Sequence, residues 1–251
     1  MFEVLIKDND GVRTLTLNRP NKRNALNDEL IAALSNALQD AESDASLRAI
    51  IIRGAGGDFC SGADLSSLQK IADSSYEENL DDAKQLMDLF LQIRKMSVPI
   101  IAAVHGRALA GGAGLATACD IVLATRSARF GYPEVKIGFV PAMVMAILRR
   151  NVGEKIAFEL STQGFEFSAD WALDLGLVNH VYDDNDFDRR VEEYVSVYTK
   201  VSASAVRLTK QLLYKMDGSN FEKAILAGAE TNAEARMTED CKKGIAKFLE
   251  K

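Results

Sequence analysis

The stretch Val98–Ser127, VPIIAAVHGRALAGGAGLATACDIVLATRS, decides the fold. VPIIAAVHG is a short apolar run bounded by Pro99 and Gly106, and it reads as a buried strand. GRALAGGAGLATACD holds glycines at 106, 111, 112 and 114 ahead of a run of small apolar residues, and it reads as a turn entering a helix. DIVLATRS is again a β-branched, buried-type strand. Strand, helix and strand in close succession predict a crossover in a parallel sheet.

The flanking sequence extends this alternation. Upstream, FEVLIK and VRTLTLN flank DNDG and predict a β-hairpin. RPNKRNALN is a polar loop with a basic cluster. In DELIAALSNALQDAESD, Leu30, Leu34 and Leu38 share a helix face and Asn27 is suited to the N-cap. LRAIIIRG is a buried-type strand, and GAGGDFCSGADLSSLQ is a loop entering a helix. From about Ser74 to Met96 the spacing of Leu86, Leu89, Phe90 and Ile93 predicts an amphipathic helix. After Ile137 the reading is mainly helical, with a short strand at GLVNHVY. The final third, from SASAVRLTKQLLYKM to the end, reads as helices. The expected class is α/β with repeated crossovers, a core over 1–195 and a helical region over 196–251.

Composition narrows the function. With 47% hydrophobic and 26% charged residues, the chain is of ordinary globular type. Thirty Lys and Arg against 36 Asp and Glu leave a formal charge of −6, a poor basis for binding nucleic acid. Cys60, Cys119 and Cys241 are odd in number and form no CxxC, as expected of reduced thiols in a cytoplasmic protein. His105 and His180 have no ligand-like spacing with them, so no metal is expected. No apolar run is long enough to span a bilayer, and no membrane association is expected.

Two glycine-rich loops carry the chemistry, Gly54–Leu65 and Gly106–Asp120. Each follows an apolar strand and runs into a helix. Glycine lets backbone N–H groups turn outward, and a helix N-terminus adds partial positive charge, so together they suit an anion or a developing oxyanion. A dinucleotide fingerprint fails at its third glycine in both loops, and a phosphate-binding loop lacks its G-K-[ST]. Tight helix-on-strand packing explains the glycines about equally well.

The ordered set TLTLNRPNKRNALN, IIIRGAGGDFCSGADL, PIIAAVHGRALAGGAGLATACDI, ARFGYPEVKIGFVP, ALDLGLVNHV and GIAKFLEK resembles the enoyl-CoA hydratase/isomerase, or crotonase, family over nearly the whole chain. The EVKIGFVPA segment looks like the methylglutaconyl-CoA hydratase subgroup. The resemblance implies a spiral of ββα units with a C-terminal helical trimerisation region, assembled as a homotrimer or homohexamer. It implies an acyl-CoA thioester substrate and no cofactor beyond it. The backbone N–H groups of Ala63 and Gly111 would form the oxyanion hole, with Gly112 letting the substrate approach.

The best-known hydratases of the family carry two glutamates. Here one position is Gly114, and the other is Glu134 in the FGYPEVKIG segment. Glu134 is the expected proton carrier, against the plainer reading of a loop carboxylate paired with Lys136 or Arg129. One carboxylate suffices for isomerisation and two suit hydration, so hydration, isomerisation and other enolate chemistry (decarboxylation, hydrolysis) stay open. A non-catalytic acyl-CoA-binding role and an RNA-binding role are the competing classes. Tyr132 and Phe139 are expected in the acyl pocket, with core packing as the alternative. Met143, Val144, Met145 and Ile147 read as helix core whose first residues could face the acyl chain. Lys22 and Arg23 suit a CoA phosphate, or else a solvated turn. The resemblance places backbone groups of Ala25, Ser61, Asp64 and Leu65 around the CoA adenine, Gly62 and Gly114 among the substrate-binding residues, and Phe248 and Lys251 at a neighbour's CoA site. Asp120, His105 and Cys60 read as structural.

Overall fold

The computed structural model describes residues 2–64, 67, 69, 71 and 73–250. Strands β1 (Val4–Asn9) and β2 (Val12–Leu17) form the antiparallel hairpin. Asp10 and Gly11 both take positive φ, 47° and 77°, the backbone that a two-residue hairpin turn of this hand requires. Helix α1 (Asp28–Glu42) begins at Asn27, whose side chain accepts a hydrogen bond from Leu30 N at 3.0 Å. Its leucine face, Leu30, Leu34 and Leu38, is fully buried. Strand β3 (Ala49–Gly54) follows, and then α2 (Tyr76–Lys95), started by a reciprocal Ser75–Glu78 capping box.

The deciding stretch becomes β4 (Ile100–Val104), a short β5 (Arg107–Leu109), α3 (Gly111–Ala118) and β6 (Ile121–Thr125). After it come β7 (Arg129–Gly131), a 3-10 helix over Pro133–Ile137, α4 (Ala142–Asn151), α5 (Glu154–Gln163), β8 (Glu166–Ser168), α6 (Ala169–Asp174), β9 (His180–Tyr182) and α7 (Phe187–Val195). The chain closes with α8 (Ala203–Lys215), α9 (Phe221–Met237) and α10 (Glu239–Leu249).

One sheet has the order β1-β2-β3-β4-β6-β9, parallel from β2 onward. A smaller one has the order β5-β7-β8. Each turn of chain places one strand in the large sheet and the next short segment beside the small one: β4 then β5, β6 then β7, and β3 then Cys60, which bridges to Ala108. A helical segment follows each pair, so the ββα repeat is visible in the pairing itself. The sequence reading took Arg107–Leu109 as part of a turn and read helix through Glu166–Ser168. Both are strands, three residues long, too short to show a period of two.

The C-terminal helices are tied to this core at Asp120. Its carboxylate accepts from Ile100 N (2.7 Å), Lys210 Nζ (2.7 Å) and Tyr214 Oη (2.6 Å). Lys210 is buried, and its Nζ also donates to the carbonyls of Ile93 and Val98. Burial pulls the Lys210 pKa down, and the Asp120 charge opposes that pull. Among the described residues no helix is long and apolar enough to cross a membrane.

Candidate active site

The two glycine loops meet. Leu26 N donates to Gly62 O at 2.7 Å, and Asp64 N donates to Leu26 O at 2.8 Å. In this parallel bridge Ala63 lies between the two bonded groups, so its own N–H faces away from Leu26. Gly62 reaches the geometry with φ +95°, and a side chain there would press on Ala110 Cβ at 2.9 Å and Leu109 O at 3.0 Å. Across from it, Ala110 has φ +50° and ψ −124° just before α3. That backbone is rare for a residue with a Cβ. It turns the Ala110–Gly111 peptide and thereby aims the Gly111 N–H. Neither the Ala63 nor the Gly111 N–H meets a backbone acceptor among the described residues.

Both residues line a cavity of about 590 Å³ together with Glu134. Helix α2 contributes Asn79, Asp82, Ala83 and Leu86, and the loop after Glu134 contributes Ile137, Phe139 and Val140. Glu134 sits in the first turn of the 3-10 helix, which Pro133 opens and Gly138 closes in the left-handed region. Its Oε2 is buried and has no hydrogen-bond partner among the described residues. Burial pushes its pKa above the usual glutamate range. The ion pair of the plainer reading, to Lys136 or Arg129, does not form among the described residues. A partly desolvated carboxylate can take and return a proton, and backbone N–H groups can polarise a carbonyl, when they line one cavity.

The other expected residues divide. Ser61 and Phe139 are on the cavity wall, as are Met143 and Val144, while Ile147 is buried core. Lys22 and Arg23 are exposed outside the wall; Arg23 O accepts from Ser61 N at 3.0 Å, which ties the basic turn to the wall. Asp64 is buried and pairs with Arg19 at 2.7 Å, and the Arg19 guanidinium also donates to the buried Ala25 carbonyl. These two hold the loop rather than face the cavity. Leu65 and Lys251 lie outside the described residues. Phe248 is exposed on α10 and is not among the described residues of this cavity wall.

Tyr132, expected in the acyl pocket, takes the alternative of core packing: it is only 1% exposed, lies 6.3 Å from the Phe167 ring and is not on the described cavity wall. Gly112 is also interior, because a side chain there would collide with the Cys60 carbonyl. Gly114, expected among the substrate-binding glycines, is buried in α3 and is not among the described residues of the cavity wall. A Cβ at 114 would stand 2.6 Å from Val144 Cγ2 and 3.0 Å from Phe90 Cζ, so α4 and α2 already fill that space. Asn79, Asp82 and Ala83 were absent from the sequence-derived site. The helical period puts them on the stripe of Leu86, which was the available signal.

A parallel-sheet scaffold has thus brought two backbone donors and one partly desolvated carboxylate around a largely apolar cavity, a small set of polar groups in an apolar pocket of the kind that binds a small-molecule ligand. The sequence pattern of the enoyl-CoA hydratase/isomerase family matches residues 7–251. A Thermus thermophilus protein, provisionally named an enoyl-CoA hydratase, is 41% identical over 240 residues, covering 96% of this chain and 95% of that one. The 2,3-dehydroadipyl-CoA hydratase of Escherichia coli is 32% identical over 252 residues, covering 100% and 97%. The crystal structure of an enoyl-CoA hydratase from Mycobacterium smegmatis superposes with a TM-score of 0.95 at 36% identity, over 99% of this chain and 96% of that one. The chain belongs to the enoyl-CoA hydratase/isomerase family.

Proposed function

We propose that the chain binds an unsaturated acyl-CoA with its thioester oxygen between the N–H groups of Ala63 and Gly111, and that Glu134 carries a proton between two carbons of the acyl group. The Glu134 carboxylate removes a proton from the α carbon of a β,γ-unsaturated thioester. The electron pair spreads through a dienolate onto the thioester oxygen, where the two amides stabilise it. The same carboxyl then returns the proton to the γ carbon, leaving the α,β-unsaturated thioester. The observation that carries this reading is the partly desolvated carboxylate of Glu134, its Oε2 without a hydrogen-bond partner among the described residues, in one cavity with both amides, while the space beside Gly114 is closed by Val144 and Phe90. Hydration of an α,β-unsaturated acyl-CoA is the second reading, favoured by the hydratase names of the relatives.

Lys22 and Arg23 serve the CoA phosphates in this account, supported by their exposure beside the Ser61 loop. The exposed Phe221, Ile225, Leu226, Ile245 and Phe248 on α9 and α10 support a homotrimeric or homohexameric assembly through the C-terminal helices. Glu134→Gln tests the central role: CoA-thioester binding persists and turnover falls by about a thousandfold or more. A variant that keeps its rate would refute the role of Glu134.

A further inference from the structure

We propose that Asp82 sets which acyl groups the cavity accepts, selecting against chains that end in a carboxylate. This inference rests on the acyl-CoA reading above. Helix α2 turns Asn79, Asp82, Ala83 and Leu86 to the cavity, the spacing of a single helix face. Leu86 Cδ2 lies 3.6 Å from where a Gly111 Cβ would stand, so Leu86 marks the thioester end. Asp82 sits one turn away along the wall, about 5 Å, within reach of an acyl chain of a few carbons.

Among the described residues the charged groups on this wall are Asp28, Asp82, Glu134 and Lys136, three acids and one base. Asp82 makes no ion pair among the described residues. The cation nearest it in the helix, Lys84, is taken by Asp81 at 2.8 Å. Lys136 lays its stem along Gly164, its Cγ and Cε each 3.4 Å from a Cβ built there, and Gly164 is not part of the cavity wall. No described cation therefore neutralises Asp82. The surrounding surface is apolar: Ile31, Leu86, Ile137, Phe139 and Val140. A terminal carboxylate brought here loses water and meets a like charge in a medium that screens poorly. A methyl-ended chain meets neither cost, and a hydroxyl-ended chain gains an acceptor.

Titration calorimetry with saturated acyl-CoAs separates this from the reaction itself. The probes are butanoyl-, pentanoyl- and hexanoyl-CoA against succinyl-, glutaryl- and adipyl-CoA, with the wild type, Asp82→Asn and Asp82→Lys. The wild type is expected to bind the methyl-ended partner about tenfold tighter or more at the length that reaches Asp82. Asp82→Asn narrows that preference several-fold and Asp82→Lys reverses it, with free CoA bound equally by all three proteins. Equal binding of the two series by the wild type, or a preference unchanged in both variants, overturns the proposal. If every acyl-CoA binds no tighter than free CoA, the acyl-pocket reading itself falls, and this proposal with it.

Discussion

Val144 closes the space over Gly114: a Cβ at 114 would come within 2.6 Å of Val144 Cγ2. The space that a side chain at 114 would enter, where the family's best-known hydratases place a glutamate, is therefore filled by a neighbouring side chain. Gly114→Ala is expected to cost about 1–3 kcal/mol by overpacking, read as a lowered unfolding midpoint. Gly114→Ala combined with Val144→Ala should lose less than the two single changes added together, because the second change makes room for the first. Additive losses would show that the two positions do not share this space.

Glu134 predicts an opposition between stability and activity. Its folded pKa is raised by burial, so the folded state holds the proton more tightly than the unfolded one. Between the unfolded and folded pKa values, stability falls as pH rises. Glu134→Gln removes the ionised form and should unfold no earlier than the wild type at neutral pH, although it is inactive. The same shift places the acid limb of the wild-type pH–rate profile above that of an ordinary glutamate. Calorimetry of the variant and a kcat/KM profile of the wild type check the two halves.

Ala110 offers a second such opposition. Glycine adopts φ +50°, ψ −124° freely, so Ala110→Gly should relieve strain on the order of 1 kcal/mol. It also loosens the peptide that aims the Gly111 N–H, and kcat is expected to fall several-fold. A gain in stability with unchanged kcat would separate the strain from the chemistry.

The Asp120–Lys210 pair anchors α8 to the core. Lys210→Met leaves Asp120 facing a largely buried space without its cation, and a loss of about 3 kcal/mol is expected. Asp120→Asn with Lys210→Met should recover part of it. Chemical denaturation of the three proteins measures the recovery.

Much of this was legible in the sequence. The Asn27 cap, the leucine stripe of α1 and the isoleucine run of β3 state their structures through local spacing, and DNDG states its turn. The meeting of Ala63, Gly111 and Glu134 followed from the family likeness, since spacing alone could not bring the three loops together. Two things stayed hidden. Asn79 and Asp82 look like the solvated face of a helix, and only the packing of α2 over Gly111 makes them pocket wall. Tyr132 and Glu134 flank Pro133 but occupy different spaces, one packed toward Phe167 and the other on the cavity, which a reading by sequence proximity merges. The three-residue strands β5, β7 and β8 are fixed by pairing partners distant in sequence.

The most direct test of the central claim is mass spectrometry of CoA thioesters after incubation of a trans-3-enoyl-CoA with the protein in heavy water. The account predicts a shifted double bond without added water, lost in Glu134→Gln. A product that has gained one water, or substrate recovered with neither bond shift nor deuterium on carbon, would contradict it.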